Sequence, residues 1–349
     1  MIPYLERVLN VRRGEFTPAS LLFLYLFLAL FCYIMGQSVG DAMFLSAFPT
    51  YLPHVIISTA LAVGIFTSIY IRLSRRVRLE LLIIGSLLFF ASSFTLFWWL
   101  AHLVGKWAYP FIYIWVYMTG ALAPAMGWTL ANYALTTREA RRVFGFIGAG
   151  ASLGAPCAGF LTADLTRHAH MRPEALLLVI AAGLGLCGLS VRLLFRQAHR
   201  RLAGFSQAPG AEPDMPKNLR QVWAYIRGSR YLLLITALIM IGCASTTIIS
   251  YQFRLIAYSS FSGNKAALAA FFGRFNGYLG LSSFILQMLL TGQLLRSLGI
   301  RVTLFVMPTV FLGGSVGVLL APVLLSACIL KGSQGLLRYS LDKSSTELL

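Results

Sequence analysis

The chain has 349 residues, of which 58% are hydrophobic and only 11% charged, and its mean hydropathy is +0.76. Soluble domains carry about 25% charged residues, so a surface this apolar excludes a soluble enzyme, a disordered protein and a secreted disulfide scaffold. The 29 Lys and Arg against 11 Asp and Glu, net +18, then read as the positive-inside bias of a polytopic membrane protein rather than as a nucleic-acid surface.

A membrane-crossing helix needs about 20 apolar residues. In chain order, the apolar runs predict spans over 19–45, 51–73, 81–104, 108–135, 144–164, 174–196, 231–253, 266–292, 300–321 and 322–340. The first run is too long and too deep in the chain for a cleavable signal peptide. With the N-terminus in the cytoplasm, the outer segments hold only Lys106, Arg167, Arg172, Arg254 and Lys265. Arg274 and Lys331 fall within spans, and every other basic residue faces inward. This asymmetry predicts a multi-pass protein of the cell (inner) membrane with a cytoplasmic N-terminus. The five cysteines sit singly in apolar runs, without metal or pairing spacing, and are expected to be small buried residues.

The spans group into domains. Residues 1–18 read as an N-terminal interfacial segment, 19–196 as a six-helix bundle, 197–230 as a cytoplasmic linker and 231–349 as an incomplete C-terminal bundle. The linker contains the helix breakers Pro209, Gly210, Pro213 and Pro216. After them, 217–230 reads as an amphipathic surface helix with Leu219, Val222, Trp223 and Ile226 on one side. Two bundles joined by a basic linker is the layout of a major-facilitator transporter, whose site lies between the halves at mid-membrane. The expected fold class is therefore all-α: a polytopic membrane helical bundle, major-facilitator-like, with about ten spans present of about twelve in that layout. The polar stretch ending Glu347-Leu348-Leu349 suggests a chain that continues.

Span five carries Gly145, Gly148, Gly150, Gly154, Pro156 and Gly159. A dinucleotide fingerprint needs a strand and a βαβ unit, which a span cannot supply. Close packing of small residues explains the run. Gly150, Gly154, Pro156 and Gly159 also resemble the glycine-proline motif of major-facilitator antiporters, where they would form a packed, rocking hinge. Gly292, Leu294, Gly299 and Arg301 match part of that superfamily's cytoplasmic gate loop, with Arg296 in place of its acidic residue. Basic anchoring of the loop explains the charges equally well.

Charges inside the membrane are costly and usually face a cavity. Tyr33, Gln37 and Asp41 lie one helical turn apart on one face of span one. Span four offers Thr129, Asn132 and Thr136. Span seven has Cys243, Thr246, Thr247 and Ser250 leading to Arg254, with Gln252 beside it. Arg274, Asn276 and Tyr278 cluster on span eight, and Lys331, Gln334 and Arg338 on span ten. Four basic groups against one carboxylate suit an anionic solute such as a phosphate-bearing metabolite, since Arg and Lys contact phosphate well. Arg254 and Arg338 sit at span ends, where snorkelling to headgroups is the other reading; Asp41 can pair with one of these cations. The candidate substrate-binding residues are thus Gln37, Asp41, Asn132, Gln252, Arg254, Arg274, Asn276, Lys331 and Arg338. Candidate conformational residues are Gly150, Gly154, Pro156, Gly159, Gly292 and Gly299.

Catalytic chemistry has little support. The five histidines are scattered, and Asp164 with His168 and His170 lacks a further clustered metal ligand. No Ser/His/Asp set, paired carboxylates or Walker lysine is present. No enzyme, cofactor, metal or nucleic-acid partner is expected.

Several segments together resemble the bacterial and plastid-type ADP/ATP carrier family. They are Arg13-Gly14-Glu15, Val39 to Ser46, Phe146 to Gly150, Tyr251-Gln252-Phe253-Arg254, Phe271-Phe272-Gly273 and Leu337 to Asp342. The resemblance implies about twelve spans in a major-facilitator-like fold that exchanges ATP for ADP or imports nucleotides without covalent chemistry. It also implies a chain running beyond Leu349, where some relatives carry a fused cytoplasmic regulatory domain. Two features differ from the plastid exchangers: Arg338 replaces a Lys, and no Glu lies inside a span. The leading expectation is a nucleotide transporter working by alternating access. Two alternatives stand beside it: a major-facilitator exporter of another anionic or amphipathic solute, and a membrane sensor or scaffold for a cytoplasmic domain.

Overall fold

The computed structural model describes residues 16–168, 171–202, 227–289, 309, 311, 313–321 and 323–337. Helices dominate, and there is no strand among the described residues. They are α1 (Phe16–Ala47), α2 (Leu52–Ser74), α3 (Leu79–Leu103), α4 (Tyr109–Ala134), α5 (Thr137–Arg167), α6 (Leu176–Leu202), α7 (Arg230–Ser260), α8 (Lys265–Leu289) and α9 (Leu324–Leu337). In a bilayer no water satisfies backbone amides, so a continuous helix is the structure an apolar run of this length must adopt.

The breaks between helices have local causes. Pro49, inside a short 3-10 turn, separates α1 from α2. Gly105, with φ +62°, starts the turn between α3 and α4. Thr136 caps α5 reciprocally with Glu139: the Thr136 amide donates to Glu139 Oε2 at 2.9 Å. A capping box of this kind satisfies two orphan donors, so Thr136 begins α5 rather than extending the polar face of α4.

A helix stands at each of the first eight predicted spans, but α5 begins at Thr137, seven residues before the expected 144, and α7 runs to Ser260, seven beyond the expected 253, so Arg254 lies within a helix rather than in an outer segment. α6 runs on to Leu202, past the expected boundary at 196. The described part of span ten is the shorter α9, of 14 residues. Arg338, Gly292 and Gly299 lie outside the described residues, as do 300–308 of span nine and 217–226 of the surface helix expected over 217–230. Among the described residues, six helical segments are long and apolar enough to cross a membrane; α4 and α8 have comparable length, and α8 carries Arg274 and Asn276.

α1 is the central post. It packs against α4, α5, α6 and α8, and Tyr25, Leu26, Met35, Val39 and Met43 on it are fully buried. α5 packs along α8, α3 against α6, and α9 against α7. The outward faces are as apolar as the core: Ile57, Leu61 and Ile65 on α2 are each more than 60% exposed. Lipid tails are about as apolar as Leu, so such faces need no protein cover. The protein is therefore a polytopic membrane helical bundle.

The same physics corrects the cysteine expectation. Cys32 and Cys187 are buried, Cys328 is half-buried, and Cys157 and Cys243 are exposed. An apolar residue on a membrane helix can face lipid as readily as the core.

Candidate functional site

The polar face of α1 meets α4 and α7 deep in the bundle. Arg254 on α7 donates from Nε to Asp41 Oδ2 at 2.9 Å. Tyr117 on α4 donates its hydroxyl to Asp41 Oδ1 at 2.9 Å. That hydroxyl accepts from Gln37 Nε2 at 3.3 Å and from an Arg254 terminal nitrogen. A phenol has one donor and two lone pairs, so Tyr117 is saturated. The Arg254 guanidinium also lies 5.6 Å from the Tyr117 ring centre and 6.0 Å from that of Tyr113, within cation–π range. Tyr33 presents its edge to Tyr117 at 6.3 Å.

Both charged partners are buried, with 9% of the Arg254 side chain and 6% of Asp41 exposed. Arg254 therefore turns into the bundle instead of snorkelling. Two buried charges are tolerable when their geometry is good and the remaining hydrogen bonds are made; Tyr117 supplies those bonds here. The pair also joins residues 213 positions apart in the chain, tying the first six helices to those after the linker.

Two further polar links lie in the bundle. Asn276 on α8 donates to Ser38 Oγ at 3.1 Å. Lys331 on α9 donates to Ser250 Oγ on α7 at 2.7 Å and to Gln334 Oε1 at 2.9 Å. Two neutral oxygens, one from α7 and one from its own helix, thus position the Lys331 ammonium. Arg274 is half-buried on α8 and has no carboxylate partner among the described residues.

Other nominated residues stand apart. Asn132 is exposed, and it lies 15 residues along α4 from Tyr117, roughly 22 Å at helical rise. Its polarity on α4 placed it with the site on sequence grounds, but its position takes it away from the Asp41 cluster. Gln252 is half-buried next to that cluster in sequence and makes no side-chain hydrogen bond among the described residues. Asp164 meets His168 at 3.6 Å across one turn of α5, while His170 lies outside the described residues.

The glycines of α5 divide their work. A side chain at Gly150 or Gly154 would strike the α1 backbone at Phe23 or Phe27. Gly159 instead faces α8, where a Cβ would run into the backbone at Gly273 and Gly277. Pro156 fits beside Gly280, whose own added Cβ would lie 2.9 Å from the proline ring. Two glycines thus dock α5 on α1, while Gly159 and Pro156 form a backbone-close seam with α8.

A second charged cluster occupies the end of the bundle where α6 begins and α7 gives way to α8. Lys265, at the start of α8, contacts Glu174 and donates to the Tyr109 hydroxyl at 3.2 Å. Tyr109 donates to Glu174 Oε1 at 2.9 Å. Glu174 lies in the 3-10 turn Pro173–Ala175 leading into α6 and is only 8% exposed. The expectation that the spans lack Glu therefore missed a buried carboxylate at a helix start.

Tyr109, Tyr113 and Tyr117 were also missed. Their i, i+4, i+8 spacing puts them on one face of α4, a signal present in the sequence. What spacing could not supply is the partner across the bundle. No curated protein matches the chain. The family model for the TLC ATP/ADP transporter matches residues 92–327, which include Arg254, Arg274, Asn276 and Tyr117. That match covers well over half of the sequence, and the chain belongs to the TLC ATP/ADP transporter family.

Proposed function

We propose that this protein carries nucleotides across the cell (inner) membrane, by exchange or uptake, through alternating access between residues 19–196 and 231–349. The basic linker and the N-terminus face the cytoplasm in this reading. The observation that carries it is the placement of cations: Arg254 and Lys331 are held inside an apolar bundle by polar partners, within a family of ATP/ADP transporters.

The roles divide by partner. Arg254 is committed to Asp41 and Tyr117, so it serves as the link between halves. Lys331 and Arg274 are the phosphate contacts in this reading, because an ammonium held by the Ser250 hydroxyl and the Gln334 amide oxygen can exchange them for phosphate oxygens. Asn276 and Gln37 line the same region with neutral donors. Arg338, beyond the described residues, continues the Lys331 face by sequence spacing. Gly159 and Pro156 allow α5 and α8 to move against each other without interlocked side chains.

No covalent step is required. A cargo that offsets the positive charge at Lys331 and Arg274 lowers the barrier to moving them, so the loaded protein switches more readily than the empty one. Proteoliposomes holding the full protein and loaded with unlabelled nucleotide should take up labelled ATP or ADP saturably. Failure to move any nucleotide, with folded protein in the bilayer, would remove this reading.

A further inference from the structure

The Lys265–Glu174–Tyr109 cluster lies outside the proposed cargo contacts, yet it is built with the same parts as the Asp41–Arg254–Tyr117 cluster. Each joins a basic residue after the linker to a carboxylate before it. Each also threads a tyrosine of α4 between the charges. The two tyrosines are eight residues apart, about 12 Å along the helix. Tyr113 fills the interval, with its ring 4.8 Å from Tyr117 and 5.2 Å from Phe44. Ala42, Phe253, Leu268 and Phe272 close the space around it, all buried. Burial along α7 shows the same polarity: Ile249, Phe253, Arg254 and Ala257 are buried, whereas Tyr231, Leu234, Met240 and Ile241 are each more than half exposed.

We propose that these two clusters form a double latch that seals the bundle at the end where α6 begins, with the Lys265–Glu174–Tyr109 tier as the outer bolt. The proposal rests on the alternating-access reading and adds the device that sets which face is closed. The outer tier is built to release. Glu174 Oε1 takes both the Lys265 and the Tyr109 contacts, so losing that one oxygen's partners unfastens the whole tier. A cavity of about 570 Å³ lies directly beside it, lined by His102, Arg172, Glu174, Asn264 and Lys265. Water entering from that cavity competes for both partners. The inner tier, with every Tyr117 valence used, is the firmer of the two.

The test uses the full chain in proteoliposomes with the native cysteines replaced and Ala42→Cys introduced as a reporter between the tiers. A membrane-impermeant maleimide is added to one face and then the other. With the latch intact, the reporter is protected at the face bearing the Lys265 loop. Glu174→Gln or Lys265→Gln should raise labelling from that face by about ten- to a hundredfold, the range a charge-assisted contact controls. Lys265→Arg should retain protection, and Glu174→Lys combined with Lys265→Glu should restore it. Unchanged labelling in the single variants, or labelling in the reversed pair as fast as in either single, overturns the latch. Labelling needs no transport, so a protein that moves no nucleotide loses the transport reading while the labelling contrast still decides the latch. Intact uptake with insensitive labelling defeats the latch alone.

Discussion

The Asp41–Arg254 pair gives the sharpest energetic expectation. Two unit charges about 4 Å apart attract by about 4 kcal/mol at the effective dielectric of a protein. Asp41→Ala removes that attraction and leaves the Arg254 guanidinium buried with only Tyr117 as a described polar partner. Breaking such a pair costs about 3–5 kcal/mol. Since the pair bridges the halves, much of this loss falls on the closed arrangement. At about 1.4 kcal/mol per decade, the equilibrium between closed and open forms shifts by roughly two to three decades toward the form in which Arg254 meets water. Arg254→Ala should do the same through the stranded carboxylate. The double substitution strands neither charge, so it should be milder than the sum of the singles by at least about 2 kcal/mol. Unfolding midpoints of purified protein in detergent, measured across the four-member cycle, report the coupling. Additive effects within about 0.5 kcal/mol would refute the reasoning, because they would mean that the two side chains do not depend on each other.

Four other substitutions separate packing from charge. Tyr117→Phe removes a hydroxyl shared by Asp41, Gln37 and Arg254, and should destabilise by about 1–3 kcal/mol in the same melt, the cost of leaving buried polar groups unsatisfied. Gly159→Leu forces α5 and α8 apart at backbone contact and should abolish uptake, whereas Gly85→Ala, with nothing within 4 Å of the added carbon, should leave uptake and melting unchanged. Lys331→Gln keeps a donor to Ser250 but loses the charge; it should raise the apparent KM for nucleotide at least tenfold while moving the melting midpoint little.

The helices were readable because the bilayer leaves an apolar run of about 20 residues one stable structure. The runs at 51–73 and 108–135 accordingly fall within two residues of α2 and α4. Part of the polar cluster was also visible: Tyr33, Gln37 and Asp41 share a face by helical period, and the structure directs that face at Tyr117. The choice of Arg254 as the partner of Asp41 was not visible. It depends on how α1 and α7 meet across 213 positions, and no local pattern encodes that register. Glu174 escaped notice for a related reason. At a helix start it reads as an interfacial charge, and only the approach of Lys265 and Tyr109 buries it. Asn132 shows the same limit from the other side, since its spacing on α4 does not reveal that it lies 15 residues from Tyr117, away from the place where α1, α4 and α7 converge.

The central claim is that nucleotide moves between the two halves past Lys331 and Arg274. Counterflow tests it most directly. Proteoliposomes are loaded with labelled ADP, and efflux is followed when unlabelled ATP, ADP or inorganic phosphate is added outside. The account predicts efflux accelerated by external nucleotide and suppressed in the Lys331→Gln, Arg274→Gln double variant, with that variant still monodisperse and folded. Efflux indifferent to external nucleotide, or unaffected by loss of both charges, would contradict it.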